Sequence, residues 1–187
     1  LTNSLKLVKK KMSEITIVMS GAGAAGTAIA RLLTKSGATK IIAFDKDGCV
    51  TPGFDGKISD AMKGADVFIG VSAANALSAD LLKLMAAKPV VFALANPDPE
   101  ILPSVAHAVR DDILMATGRS DFPNQVNNAL CFPYLFRGAL DAKAKQITDE
   151  MQIAAAHALA ALAREPVPAD VLQAYNLTSL SFGKDYI

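Results

Sequence analysis

The chain has 187 residues, of which 19 are basic and 18 acidic, so its formal net charge is only +1. This balance excludes a nucleic-acid binder that works by bulk charge, and 51% hydrophobic with 20% charged residues is typical of one compact domain. No apolar run reaches the roughly 20 residues of a membrane span, and two cysteines cannot build a disulfide scaffold. We therefore expect a protein of the reducing cytoplasm, with neither nucleic acid nor membrane as a partner.

The two ends of the chain also carry information. Lysines near the N-terminus are followed by Met12, Ser13 and Glu14, where a signal peptide would need an apolar core. The first residue is Leu1 rather than methionine, and Ile187 follows no recognisable ending signal. We expect residues 1–187 to be one domain of a longer protein.

Five short apolar runs predict β-strands, and helical segments separate them along the chain. The runs are residues 15–19, 40–44, 66–71, 89–94 and 113–116. They are almost continuously apolar rather than alternating, which indicates strands buried on both faces of a parallel sheet. Strands that alternate with helices indicate the same fold class, a doubly wound, Rossmann-like α/β domain.

Helix signals complete this pattern in chain order. A helix is predicted to start near Ala24, Ser78 is predicted to cap a helix that reaches Met85, and Pro103 suits a first helical turn. Beyond Asn124, which we interpret as a helix cap, extra C-terminal helices are predicted. One of them carries an apolar stripe that ends before Pro166 and Pro168, formed by Met151, Ala154, Ala155, Ala158, Leu159 and Leu162.

A glycine-rich turn joins the first predicted strand to the first long helix. Gly21, Gly23 and Gly26 have the G-x-G-x-x-G spacing, in which the first glycine allows a tight turn and the second lets backbone approach a pyrophosphate. The third lets the helix pack closely on the strand, and the helix N-terminus directs N–H groups at the phosphates. This arrangement predicts a dinucleotide-binding site.

An acidic residue completes the dinucleotide pattern. Asp45 follows the second strand about 20 residues after the glycines, where a carboxylate accepts a hydrogen bond from a ribose 2′-OH. A carboxylate also repels a 2′-phosphate, which favours NAD over NADP. Lys46 leaves NADP open, because a lysine can pair a phosphate, although a solvated loop lysine is the more common case.

Polar groups follow the later strands as well, at the edge where ligands bind in such sheets. Asn127 and Asn128 are interpreted as ligand-binding carboxamides, with structural hydrogen bonding as the alternative. Asp98 and Glu100 are expected at a helix N-terminus, where negative charge is favourable. Arg119 is the arginine best placed to meet a carboxylate.

Four segments together resemble the NAD(P)-binding domain of bacterial malic enzymes. They read GAGAAGTAIARLL, ADVFIGVS, ALANPDPEI and ATGRSDFPNQVNNALCFPYLFRGALD, and the resemblance extends from about Ser4 to Ile187. It implies oxidation of L-malate with NAD or NADP and a divalent metal, Mg or Mn, followed by decarboxylation to pyruvate and CO₂. It also implies a homodimer or a larger homo-oligomer.

The same resemblance implies roles for individual residues. Nine would bind the cofactor: Gly21, Gly23, Ala24 and Ala25 at the pyrophosphate, Asp45 at the adenosine ribose, Val71 and Ser72 along the cleft, and Asn96 and Asn127 near the nicotinamide. Asn96 and Asn128 would reach the malate. The family's tyrosine–lysine acid–base pair and its metal-binding carboxylates would precede Leu1, so we assign no catalytic residue and no metal ligand within the chain.

Two other functions remain compatible with these residues. The same fold would serve an oxaloacetate decarboxylase or a malate-to-lactate enzyme, chemistry that related proteins perform. A module that senses a nucleotide without catalysis is the second alternative, because no acid–base pair is recognisable in the chain.

Overall fold

A computed structural model describes all 187 residues and divides the chain into two compact units. The larger unit comprises residues Ser4–Val126, and the smaller unit comprises Asn127–Ile187 together with Leu1–Asn3. A short helix that the sequence did not predict, α1 (Thr2–Val8), lies at the N-terminus.

The larger unit contains one six-stranded sheet. Its strands are β1 (Thr16–Ser20), β2 (Lys40–Asp45), β3 (Gly48–Cys49), β4 (Val67–Gly70), β5 (Val90–Ala93) and β6 (Leu114–Thr117). Their order is β3-β2-β1-β4-β5-β6, and every pairing is parallel except the antiparallel one between β2 and β3. The chain thus adds strands on both sides of β1, which confirms the predicted doubly wound sheet. Only the two-residue strand β3 was not predicted, because it is too short to show a pattern.

The core of the larger unit runs across the middle of the sheet. Register pairs place one buried side chain from each of five strands side by side, in the row Ile42, Val18, Phe68, Val91 and Met115. Their neighbours along β1, β4 and β5 point to the opposite face and are also buried, while Ile41, Ala43 and Leu114 at the outer strands are partly buried. Burial on both faces explains why the strands are almost continuously apolar.

Four helices connect these strands: α2 (Ala24–Lys35), α3 (Ile58–Met62), α4 (Ala79–Lys83) and α5 (Pro103–Val109). The predicted cap of α4 is confirmed, since the Ser78 hydroxyl accepts a hydrogen bond from Leu81 N–H at 3.3 Å. Pro103 is the first residue of α5, as expected. Helix α4 is shorter than predicted: it ends at Lys83 and does not reach Met85.

The smaller unit is helical, which confirms the predicted C-terminal helices. It contains a 3₁₀ helix (Asn128–Leu130) and three α-helices, α6 (Tyr134–Asp141), α7 (Asp149–Leu162) and α8 (Ala169–Ala174). Within this unit, Arg164 donates a hydrogen bond to the Asn3 carboxamide oxygen at 2.9 Å. None of the helices in the chain is both long enough and apolar enough to span a membrane.

The helix predicted to start at Asn124 is absent, so this prediction was wrong. Asn124 has a positive φ of 60°, and its side-chain amide donates to the Met115 carbonyl at 2.9 Å. The next residue, Gln125, forms an isolated parallel bridge with Thr117. Asn124 therefore fixes an extended segment beside the end of β6, and the first α-helix after it begins only at Tyr134.

Candidate dinucleotide-binding site

The crevice of the larger unit lies where the strand order reverses, between β1 and β4. In open α/β sheets a ligand binds outside the carboxyl ends of the strands at this switch point. The glycine-rich turn leaves β1 there, and its Gly21 N–H donates to the Phe44 carbonyl of β2 at 2.8 Å. Val71, which follows β4, donates its N–H to the Ser20 carbonyl at 2.9 Å. The structure thus joins the ends of three strands around the predicted site.

The three glycines of the turn meet different surroundings. Gly21 has a φ of +104°, and a Cβ there would lie 2.5 Å from the Val71 carbonyl oxygen. A Cβ on the buried Gly26 would overlap the carbonyl oxygen of Gly21. A Cβ on Gly23 would meet no atom within 4 Å. Packing within the protein therefore requires glycine at the first and third positions, while the second faces open space.

Helix α2 presents its N-terminus at this open space. Gly23 is the N-cap with extended backbone, it supplies no side-chain cap, and the first turn has no acidic residue. The N–H groups of a first helical turn have no partner within the helix, and the helix dipole adds partial positive charge. Ala24 and Ala25 are exposed and carry only methyl groups. This arrangement suits an anionic group such as a pyrophosphate.

Asp45 is the last residue of β2 and is exposed. Its Oδ1 accepts from the N–H groups of Asp47 at 2.8 Å and Gly48 at 3.0 Å, within the turn between β2 and β3. The sequence did not predict this structural role. The turn uses only Oδ1, which leaves Oδ2 available to a ligand hydroxyl. The carboxylate can therefore stabilise the turn and bind a ribose at the same time.

A buried carboxylate connects the ends of β4 and β5. Glu100 is fully buried, and its Oε1 accepts from the N–H and hydroxyl of Ser72 at 2.9 Å and 3.2 Å. Its Oε2 accepts from Ala95 N–H at 3.0 Å. The Ser72 and Ser20 hydroxyls lie 2.9 Å apart. Sequence reasoning missed Ser20 and the position of Glu100, because no spacing signal connects residues so distant in the chain.

The expected helix-terminal roles of Asp98 and Glu100 were therefore wrong. Helix α5 begins at Pro103 after Leu102 as its N-cap, and neither carboxylate caps it. Glu100 is instead enclosed by the ends of β4 and β5, because the N–H groups there need a buried acceptor. Asp98 is exposed and pairs with Arg119 at 3.0 Å.

Arg119 meets carboxylates of this chain. It forms a bidentate salt bridge with Asp121, with both contacts at 2.8 Å, and its third nitrogen donates to Asp98. Its guanidinium also lies 5.2 Å from the centre of the Phe122 ring. The hydrogen bond from Arg119 holds the pKa of Asp121 below its usual value. Arg119 therefore orders the loop after β6.

The three predicted asparagines lie in different surroundings. Asn96 follows β5, is exposed, and precedes a cis peptide bond to Pro97. Asn127 and Asn128 belong to the smaller unit. There the Asn127 carboxamide oxygen accepts from Ala129 N–H at 2.8 Å and caps the 3₁₀ helix, so part of its side chain has a structural role. Asn128 is the exposed first residue of that helix.

Two further features of the chain bear on catalysis. No group of three or more His, Cys, Asp or Glu side chains lies close enough together to hold a metal ion. A groove of about 700 Å³ in the smaller unit, between α6 and α7, is lined almost entirely by apolar side chains. The crevice at the end of the sheet is the candidate binding site, because the open helix N-terminus at Gly23 lies there.

Comparisons with known proteins agree with this geometry. Residues 56–174 match the family model described as "Malic enzyme, NAD binding domain". The chain is 45% identical over 99% of its length to an NADP-dependent malic enzyme of Halomonas elongata, and 48% identical over 99% to an NAD-dependent malic enzyme of Rhizobium meliloti. The crystal structure of a malic enzyme from Pyrococcus horikoshii superposes with a TM-score of 0.80 at 34% identity, and covers 98% of this chain.

These relatives are longer than the chain. The match spans 48% of the Halomonas protein, 26% of the Rhizobium protein and 54% of the Pyrococcus chain. The similarity therefore concerns one part of each relative, the part that carries the doubly wound sheet and the helices after it. On the family match and the shared fold, the chain belongs to the malic enzyme family as its NAD-binding domain.

Proposed function

We propose that the chain binds NAD or NADP in this crevice and forms the cofactor-binding half of an enzyme that oxidatively decarboxylates L-malate to pyruvate and CO₂. The observation that carries the proposal is the open space at Gly23, in front of the unpaired N–H groups of α2. The relatives support the reaction, since they are named NAD- or NADP-dependent malic enzymes.

Each side of the crevice has a proposed task. Gly23, Ala24 and Ala25 hold the pyrophosphate on backbone N–H groups, because that segment offers donors and no competing carboxylate. Gly21, whose own N–H donates to the Phe44 carbonyl, shapes the turn that brings the pyrophosphate to these donors. Asp45 accepts from the adenosine ribose. Val71 and Ser72 line the path of the cofactor from the end of β4.

The asparagines are proposed to serve the reacting end of the cofactor and the substrate. Asn96 and Asn127 contact the nicotinamide, and Asn96 and Asn128 bind malate. A carboxamide offers both a donor and an acceptor, which suits the carboxamide of nicotinamide and the hydroxyl and carboxylates of malate.

The remaining chemistry requires groups that the chain does not assemble. A divalent cation such as Mg²⁺ or Mn²⁺, when bound, would stabilise the negative charge that develops during decarboxylation. The residues described here do not fit such an ion, because no carboxylate cluster is present. We propose that the metal ligands and the acid–base pair come from a segment that corresponds to the part of the relatives that this chain does not match. Assembly as a homodimer or larger, and a cytoplasmic location, stay predictions.

Calorimetric titration and a spectroscopic assay test the proposal together. The 187-residue chain should bind NAD weakly, because it provides only part of the cleft, and should form no NADH from malate with either metal ion. Joined to the remaining length of a malic enzyme relative, it should support malate-dependent NADH formation and pyruvate release. Absence of NAD binding would contradict the proposal. NAD binding without turnover in the joined protein would favour a nucleotide-sensing module. Lactate formed from malate without net NADH formation would favour the malate-to-lactate enzyme, and pyruvate formed from added oxaloacetate without any oxidation of malate would favour the oxaloacetate decarboxylase.

Replacement of Asp45 by asparagine should shift cofactor preference towards NADP. The asparagine oxygen can still accept from Asp47 and Gly48 N–H, so the turn is kept while the charge that repels a 2′-phosphate is removed. The ratio of NAD affinity to NADP affinity should fall about tenfold, roughly 1.4 kcal/mol.

Titrations of both cofactors measure this ratio. Asp47→Asn is the matched control, because it removes an exposed carboxylate of the same turn. An equal shift in both variants would show that general charge, and not a specific contact of Asp45, selects the cofactor.

A further inference from the structure

Glu100 occupies an unusual place for an acidic residue, and the following inference rests on the proposed cofactor site. The side chain is fully buried between the ends of β4 and β5, and all its partners are hydrogen-bond donors. The space that it fills exists because Gly70, the last residue of β4, has no side chain. A Cβ on Gly70 would overlap the Glu100 carboxyl group. The protein therefore builds a pocket for one carboxylate directly beneath the crevice.

The contacts of Glu100 determine the direction of the hydrogen bonds above it. Backbone N–H groups can only donate, so both carboxylate oxygens act as acceptors. The single hydroxyl proton of Ser72 is then used in its 3.2 Å bond to Oε1. The 2.9 Å contact between the two serine hydroxyls consequently requires Ser20 to donate to Ser72. Both hydroxyl protons point towards Glu100, and only lone pairs remain for the crevice.

We propose that Glu100 is a positioning residue that makes the Ser20–Ser72 pair a site for a hydrogen-bond donor of the cofactor. Ser72 is exposed and Ser20 is half-buried at the ends of the two strands that border the switch point. The group that they accept from is a ribose hydroxyl or an amide NH₂ of the dinucleotide. A phosphate oxygen has no proton to give and is disfavoured at this position.

This assignment divides the crevice by hydrogen-bond type. The N-terminus of α2 offers only donors and suits the pyrophosphate, whereas the serine pair offers only acceptors. Because these neighbouring parts of the crevice bind opposite kinds of hydrogen-bonding group, together they fix where along the crevice the dinucleotide lies. Glu100 also holds the Ala95 N–H, so it positions the backbone immediately before Asn96.

Serine variants of the 187-residue chain test the acceptor role. Ser72→Ala and Ser20→Ala should each weaken NAD binding about three- to tenfold in calorimetric titrations, and Ser72→Thr, which keeps the hydroxyl, should restore most of the affinity. Ser36→Ala is the matched control, because that hydroxyl bonds the Leu32 carbonyl at the other end of α2. Its NAD affinity should equal that of the unchanged protein.

NAD analogues that each lack one donor identify the group that is bound. The acetylpyridine analogue lacks the amide NH₂ of the nicotinamide, and deoxy analogues lack one ribose hydroxyl each. One analogue should bind the unchanged protein more weakly than NAD does. The Ser72→Ala variant should bind that analogue and NAD with equal affinity, because the acceptor that distinguishes them is gone. If no analogue shows this loss of discrimination, the acceptor role is wrong.

Glu100→Gln tests whether the carboxylate sets the direction of the hydrogen bonds that the Ser20 and Ser72 hydroxyls make. An amide cannot accept from both backbone N–H groups, so the melting temperature should fall, and the Ser72 proton is no longer fixed. Discrimination between NAD and the identified analogue should then decrease, whereas a purely structural role would lower stability and leave discrimination intact. If this variant does not fold, the serine variants decide. NAD binding that no serine variant alters would overturn the inference alone, and absence of NAD binding by the unchanged chain would overturn the proposed function with it.

Discussion

Replacement of Gly23 by valine is expected to weaken NAD binding well over tenfold, about 1.4 kcal/mol or more, while the fold survives. The backbone there has a φ of −72°, which any L-residue adopts, and a new side chain would meet no protein atom within 4 Å. The side chain would instead occupy the space in front of the α2 N–H groups, where the pyrophosphate is proposed to bind.

Calorimetric titration measures the affinity, and thermal unfolding measures the stability of the same samples. Valine is a poor N-cap, so a decrease of about 1 kcal/mol in the free energy of unfolding is expected. Gly23→Ser avoids this loss, because serine caps well, and it should still weaken NAD binding. Gly138→Ala is the control, since Gly138 lies in α6 of the smaller unit and also has open space around it. Unchanged NAD affinity in both Gly23 variants would contradict the proposed phosphate site.

Replacement of Gly26 by alanine should destabilise the fold itself, by about 3 kcal/mol or more. The added methyl group would overlap the carbonyl oxygen of Gly21, which is backbone and cannot rotate away. Relief would require α2 to separate from the turn after β1, and the side chain of Val71, which follows β4, would lie 3.5 Å from the added methyl group. For a chain of this length the expected fall in melting temperature is roughly 10 °C.

Differential scanning calorimetry checks this second expectation without any ligand. Gly23 lies only three residues earlier, but a side chain added there meets open space, whereas a methyl group added at Gly26 meets backbone. Gly26→Ala should lower the melting temperature even when no NAD is present. A melting temperature within about 2 °C of the unchanged protein would show that the close approach of α2 to the turn is not required.

Local sequence patterns were sufficient to predict the sheet and the dinucleotide turn. A strand buried on both faces needs apolar residues at every position, so β4 and β5, which are buried throughout, are readable without any tertiary information. Caps are also local: Ser78 bonds an N–H three residues away, and Pro103 fits the first turn of its own helix. The glycines could be recognised for the same reason, since strand, turn and helix follow one another in the chain.

Asn124 shows where local patterns fail. Asparagine caps helices because its side chain accepts from nearby N–H groups, and the sequence around Asn124 favours that structure. In the folded chain its side chain donates to Met115 instead, nine residues back. The carbonyl at that position in β6 becomes a partner only after the sheet has formed. A contact that depends on the assembled sheet leaves no periodic signal in the sequence.

The sequence by itself thus determined the order of strands and helices, the glycine turn and the acidic residue at the end of β2, because each depends on neighbours in the chain. Only the tertiary structure decided that Glu100 lies beneath Ser72 and that the Ser20 and Ser72 hydroxyls meet. Those facts depend on the distance between segments 28 or more residues apart, as between Ser72 and Glu100. Parallel strands connected by helices bring such segments together at one edge of the sheet, and that edge is where the cofactor site forms.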